Sequence, residues 1–276
     1  MAKIIQVYNR KGGVGKSTSV IQIAGELSKN HGKRVLVIDL DSSSNASNGL
    51  AHNADPDIFL SEIMTSYLDG IDEDIHDAIC HTAFENLDLM AANSNYMEQA
   101  AQTLSANPMF TPFTYLKPFL EQVRDDYDYI IIDSAQGDAS IYNMMALGAA
   151  DYVLTPTDDN LDGTDGISWL QARIAFFRNR NPRREMNINP DLEWLGVFVN
   201  RASLQRSLTK EMIKHLAKNY GDKFIDATIR DAAIVGKARV YQTPLCYLDS
   251  NAPVTKDFAA LTNNILERIE NSQYTV

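Results

Sequence analysis

The stretch that most constrains this chain is Tyr8-Asn9-Arg10-Lys11-Gly12-Gly13-Val14-Gly15-Lys16-Ser17-Thr18. An apolar run, Ile4-Ile5-Gln6-Val7, precedes it and reads as a strand; a helical pattern from Ser19 to Lys29 follows. A glycine-rich loop between a buried strand and a helix is a phosphate cradle. Gly12, Gly13 and Gly15 allow backbone angles that turn successive N–H groups toward one anion. The helix N-terminus adds unpaired donors and a partial positive charge. Lys16 then reaches the β- and γ-phosphates of a nucleotide, and Ser17 offers its hydroxyl to Mg²⁺. The competing reading is a glycine-rich loop that binds nothing, and the strand and helix on either side argue against it.

Further buried strands end in acids. Residues 34–41, Arg-Val-Leu-Val-Ile-Asp-Leu-Asp, form an apolar run with carboxylates at its C-terminal end, the edge at which an α/β sheet places its ligands. Asp39 and Asp41 share one side if the strand continues that far; alternatively one of them caps a loop. Residues 127–133, Tyr-Asp-Tyr-Ile-Ile-Ile-Asp, repeat the form, and Asp133 is placed to hold Mg²⁺ through a water. Residues 150–156 and 195–201 read as two more strands, and 87–91 as a short one. Helical periodicity covers 59–68, 95–104, 114–124, 165–177, 207–220 and 254–270. In the fifth of these, Lys210, Lys214 and Lys218 lie on one face. In the last, Phe258, Leu261, Ile265 and Ile269 form an apolar stripe. In the 165–177 helix, Trp169, Ala172, Ile174 and Phe176 are expected in the core. Strands alternating with helices predict one α/β domain over residues 1–276, doubly wound, with a mainly parallel sheet and helices on both faces.

Charge narrows the partners. The 276 residues carry a formal net charge of −11, which argues against a wholly nucleic-acid-binding surface. The charge is uneven: residues 173–239 hold 14 Lys/Arg against 7 Asp/Glu. Such a local excess marks a possible nucleic-acid face; the alternative is a solvated set of charges paired with local acids. The acidic stretch 69–77 reads as a solvated face. No run approaches the ~20 apolar residues of a membrane span. The chain enters its first strand without a signal peptide, and Cys80 and Cys246 lie far apart without metal-ligand spacing. Two reduced thiols in a cytoplasmic protein are expected.

Counting back from Gly15, the first glycine of the usual phosphate-loop pattern falls at Arg10, with an extra lysine, Lys11, beside it. Lys11-Gly12-Gly13-Val14-Gly15-Lys16-Ser17 thus resembles the deviant Walker A loop of the ParA/MinD family of P-loop ATPases, in which the extra lysine reaches the partner subunit's nucleotide. Asp39-Leu40-Asp41, followed by Asn45-Ala46-Ser47, is similar to the family's second acidic motif, with Ser42-Ser43 replacing its usual Pro-Gln. Asp133 matches its Walker B acid, but Ser134-Ala135-Gln136-Gly137-Asp138 replaces the usual Thr-Pro-Pro in a loop expected to sense the γ-phosphate.

The resemblance implies Mg-ATP hydrolysis and a role for each matching residue. Lys16 goes to the phosphates, Thr18 to the α-phosphate, Ser17 to Mg²⁺, and Asp133 to Mg²⁺ through water. Asp39 supports the metal, Asp41 orients the attacking water, and Lys11 acts in trans. Asn200 matches an asparagine that reads the adenine amino group in several relatives. Residues 229–244 are similar to the family's basic C-terminal region; with the basic excess over 173–239 this makes Arg206, Arg230, Lys237 and Arg239 candidate DNA contacts. The implied function is that of a short ParA-type partition ATPase: a homodimer on ATP binding, non-specific DNA binding, no membrane, and a centromere-binding, ParB-like adaptor that stimulates slow hydrolysis. The alternative is a MinD-like membrane-cycling or cargo-positioning ATPase, although the C-terminal helix is not basic. A cluster carrier like the nitrogenase iron protein lacks matching cysteines.

Overall fold

The computed structural model describes residues 1–50, 56–137, 140–159, 164–178 and 188–273. Seven strands form one sheet: β1 (Lys3–Val7), β2 (Val35–Leu40), β3 (Ile79–His81), β4 (Leu87–Met90), β5 (Tyr129–Ser134), β6 (Tyr152–Thr157) and β7 (Glu193–Val199), in the order β3-β4-β2-β5-β1-β6-β7. Every pairing is parallel except the antiparallel β3–β4 edge pair. The three residues of β3 carry no periodicity of their own. Their strand character comes from pairing with β4, where Cys80 sits opposite Leu89.

The connecting helices are α1 (Lys16–Lys29), α2 (Asn45–Leu50), α3 (Leu60–Leu68), α4 (Ser94–Ala106), α5 (Pro112–Tyr115), α6 (Lys117–Val123), α7 (Ile141–Ala149), α8 (Thr164–Arg178), α9 (Ser207–Tyr220), α10 (Ala233–Val240), α11 (Leu245–Leu248) and α12 (Pro253–Gln273). They cover both faces, and the period-2 alternation of the strands decides what meets what. Ile4, Leu36, Ile38, Ile130, Ile132 and Val153 point into a core closed by α3, α4, α6, α7, α8 and α9. Ile5, Val7, Val35, Val37, Ile131 and Leu154 point into a second core closed by α1, α2, α10, α11 and α12. This is the doubly wound architecture that the sequence predicts.

Two expectations shift. Residues 114–124 do not form one helix: α5 and α6 part at Leu116, and Pro118 falls within the first two positions of α6, where proline opens a helix rather than continuing one. On α8 the core stripe is Ile167, Leu170, Ile174 and Phe177. Ala172 is exposed, and Trp169 and Phe176 are only half-buried. The helix presents the i, i+3, i+7, i+10 set because α7 and β7 lie beneath that side.

The sheet order sets the position of the site. β1 lies between β5 and β6, and β5 separates it from β2. The C-terminal ends of β1, β5 and β2 are therefore neighbours, with Val7 opposite Asp133 and Asp133 opposite Asp39.

Candidate active site

The loop after β1 is shaped by its own backbone, by its own Asn9 and by two distant side chains. Gly15, the residue before α1, has φ +85°, in the left-handed region where a Cβ is strained. A Cβ there would also overlap the Asn200 carboxamide. Asn9 is fully buried: its amide donates to the Pro156 carbonyl (2.8 Å) and its side-chain oxygen accepts from the Lys11 N–H (3.0 Å). Asn200, just past β7, donates to the Val14 carbonyl (3.1 Å) and the Ser19 hydroxyl (3.2 Å). Its oxygen accepts from the Arg201 N–H (2.9 Å) and keeps one lone pair for a further donor. Arg201, which no motif singled out, has φ +54° and donates from its guanidinium to the Gly13 carbonyl (2.8 Å).

Lys16 opens α1 and is buried, and its ammonium donates to the Lys11 carbonyl (3.3 Å). Burial holds its pKa below the usual lysine value, while the carboxylates of Asp133 and Asp41 oppose that fall. Lys11 bends toward β6, where its ammonium meets both oxygens of Asp158 at 2.9 and 3.0 Å.

Asp39 and Asp133 lie side by side at the sheet edge. Asp39 accepts from the N–H and hydroxyl of Ser47 (2.8 and 2.7 Å) and from the Asp41 N–H (3.0 Å). Because β2 ends at Leu40, Asp41 does not continue on the same strand face as Asp39. The chain turns there, and Asp41 accepts from the Ser43 N–H (3.0 Å) at the cavity wall. Burial first, opposed by those hydrogen bonds, lifts Asp39 to about 6. Asp133 is fully buried, and neither of its oxygens meets a donor in hydrogen-bond geometry, although the Ser17 hydroxyl faces it closely enough to favour its charged form. Burial, reinforced by Asp39, raises its pKa well above the carboxylate range. A buried carboxylate without donors calls for a cation. Two carboxylates and a hydroxyl suit a small hard dication that keeps several waters and shares phosphate oxygens.

Lys16, Ser17 and Asp41 line a cavity of about 550 Å³. Gly12, Gly13, Gly15, Lys16, Ser17, Thr18 and Asp41 supply polar lining, Ile229, Val235, Ala238 and Phe258 supply an apolar part, and Asn200 lines it too. Val14 is buried beneath the loop. A polar cradle joined to an apolar slot is the shape of a nucleotide pocket.

The candidate DNA contacts divide. The loop of Arg206 and the segment of Arg230 are adjacent, because Ala202 bridges Arg230 and exchanges backbone hydrogen bonds with its neighbours Ile229 and Asp231. Arg206 and Lys237 are exposed. Arg230 is held by both oxygens of Asp257 (2.6 and 2.8 Å) on the cavity rim, and Arg239 donates to the Asn45 side chain (2.9 Å). Arg180, Arg183, Arg184 and Asp138 lie outside the described residues.

The AAA domain family profile matches residues 2–192. The sporulation initiation inhibitor protein Soj of Bacillus subtilis is 30% identical over 250 residues, covering 90% of this chain and 92% of Soj. The chain belongs to the ParA/MinD family of ATPases. Its membership extends over the C-terminal part too: the chromosome partitioning protein ParA of Caulobacter vibrioides is 26% identical over 275 residues, 98% of this chain and 96% of that one. A Cyanothece McdA–ATP complex has TM-score 0.79 at 22% identity, with 98% and 96% covered. The septum site-determining protein MinD of Pyrococcus horikoshii, complexed with Mg-ADP, has TM-score 0.76 at 19% identity, with 99% of each chain covered. Both share its P-loop fold.

Proposed function

We propose that this family member is a ParA-type partition ATPase: it hydrolyses Mg-ATP slowly as one domain, dimerises on ATP, and as a dimer binds DNA without sequence preference. The observation that carries the nucleotide reading is the buried carboxyl of Asp133, whose oxygens meet no donor in hydrogen-bond geometry, close to Lys16 and Ser17. In this reading Lys16 and the loop N–H groups hold the β- and γ-phosphates, and Thr18 the α-phosphate. Ser17 binds Mg²⁺ directly, Asp133 through water, and Asp39 supports it. A dication held by these residues would supply charge neutralisation for the phosphoryl transfer. Asp41, on its turn at the cavity wall, orients the attacking water. The apolar part of the cavity takes the base, with the remaining lone pair of Asn200 toward its amino group.

The relatives named for chromosome partitioning support the DNA reading, as does the adjacency of the Arg206 and Arg230 segments. A centromere-binding, ParB-like adaptor that stimulates turnover belongs to the same reading. So does a cytoplasmic location, nucleoid-associated in the ATP state. In this reading the exposed Arg206 and Lys237 contact phosphate, and Arg230 and Arg239 join them once nucleotide rearranges the rim. The test is filter binding of random duplex DNA with ATP, with ADP and without nucleotide. Retention with ATP alone, falling steeply as salt rises, is expected. ATP-loaded dimers that ignore DNA at low salt would replace partition with a cargo- or membrane-positioning switch.

A further inference from the structure

The loop after β5 departs from the family's pattern at the point where it meets the phosphate cradle. Gln136 is exposed to the cavity, and its carboxamide lies against Gly12, so that a Cβ on Gly12 would overlap it. The peptides on either side are tied down. Buried Asn143 donates to the carbonyls of Ala135 (3.1 Å) and Gly137 (3.0 Å). The Tyr8 hydroxyl donates to the Gly137 carbonyl (2.9 Å), and the Gly137 N–H donates to the Arg10 carbonyl (3.2 Å). A side chain that reaches into a cavity is thus mounted on a backbone pinned to β1, to α7 and to the phosphate loop itself. Burial does not explain its placement, and none of these bonds uses its carboxamide.

Gly12 stands at the terminal-phosphate end of the cradle, since the Lys16 ammonium rests on the carbonyl of Lys11 next to it. Asp41 lines the same cavity. We propose that Gln136 is a second catalytic residue for ATP hydrolysis, its carboxamide holding the attacking water and a γ-phosphate oxygen together; this rests on the ATPase reading above. A carboxamide is suited to both contacts, because its oxygen accepts from the water while its N–H₂ donates to the phosphate. It gives up no proton of its own. The water oxygen forms the new bond to the γ-phosphorus. The bond from phosphorus to the β–γ bridging oxygen breaks, and its electron pair leaves with ADP. One water proton stays on the released phosphate and the other goes to solvent. Positioning and charge stabilisation are what such a step requires.

A second variant, Gln136→Leu, keeps the bulk of the side chain and removes both polar atoms. The experiment compares wild type, Gln136→Ala and Gln136→Leu for Mg-ATP affinity, for kcat, and for trapping of Mg-ADP with beryllium fluoride (a ground-state mimic) and with aluminium fluoride (a transition-state mimic). Both variants should bind Mg-ATP and trap the beryllium complex like wild type. Both should lose the aluminium complex and lower kcat on the order of 10²-fold. A wild type that hydrolyses ATP and traps both complexes, with variants indistinguishable from it, overturns the Gln136 assignment alone. A wild type that neither hydrolyses ATP nor traps either complex overturns the ATPase reading and this assignment with it.

Discussion

Asp39 and Asp133 face each other across β2 and β5, and both carboxyls are held above their ordinary range by burial. Two carboxylates sharing a dry site resist double ionisation, so they titrate as a pair. For Asp39 the folded value, about 6, lies above its unfolded value of 3.8. A carboxyl with a raised folded pKa favours the fold below the unfolded pKa, and that contribution is lost as pH rises through the folded one. A dication reverses the preference, because it binds the ionised pair and releases the proton. Mg-ATP affinity should therefore strengthen as pH increases through about 6. Calorimetry on either side of that pH checks it, and equal affinities would remove Asp39 from the metal site. The buried Lys16 ammonium, close to Asp133 and Asp41, makes a sharper case: Lys16→Ala should abolish tight Mg-ATP binding by the same measurement.

Elements in this chain are stabilised by the faces they cover. Helix α12 places Phe258, Leu261, Ile265 and Ile269 in the second core, against α1 and β7, none more than 2% exposed, as the i, i+3, i+7, i+11 spacing requires. Leu261 is fully buried there, so Leu261→Ala should cost about 2–5 kcal/mol of unfolding free energy, the usual range for a buried Leu-to-Ala truncation. Urea denaturation measures it; a loss well under that range would mean the neighbouring side chains collapse into the space. Helix α10 behaves differently. Only Ala238 of its residues is buried, while Val235, Gly236 and Arg239 border the cavity. A helix with so small a buried face is held mainly by what lies beneath it, so bound nucleotide should protect the α10 amides from hydrogen exchange.

The whole molecule joins segments far apart in the chain around one cavity, and the Lys11–Asp158 pair shows what that means for assembly. In the single subunit the Lys11 ammonium is spent on Asp158. The proposed trans role requires it to exchange that carboxylate for a partner's phosphates. Light scattering should show dimers with ATP for wild type, monomers for Lys11→Ala, and dimers at lower protein concentration for Asp158→Asn, whose lysine has lost its local partner. A dimer indifferent to nucleotide would count against the trans role. The proposed DNA face belongs to the same scale. In that reading dimerisation would double the excess of 14 Lys/Arg over 7 Asp/Glu within residues 173–239 and raise the number of counterions released on binding.

What the sequence determined by itself was set by neighbours in the chain. Unbroken apolar runs such as Ile130-Ile131-Ile132 can only be buried strands, the glycines of 12–15 can only be a tight turn into a helix, and the periodic stripe of α12 can only lie on a core. Those patterns are local, so the parallel sheet, the phosphate cradle and the acid ending β5 were legible before any coordinates. The tertiary structure decided every relation that depends on distant segments. It turned Asp41 off the Asp39 face by ending β2 at Leu40, paired Arg230 with Asp257 27 residues away, set Lys11 against Asp158 147 residues away, and brought Arg201 onto Gly13 across 188. It also laid Gln136 against Gly12. Side chains of this kind carry no periodicity, and their partners follow from sheet order and loop closure, which are fixed only when the two cores pack.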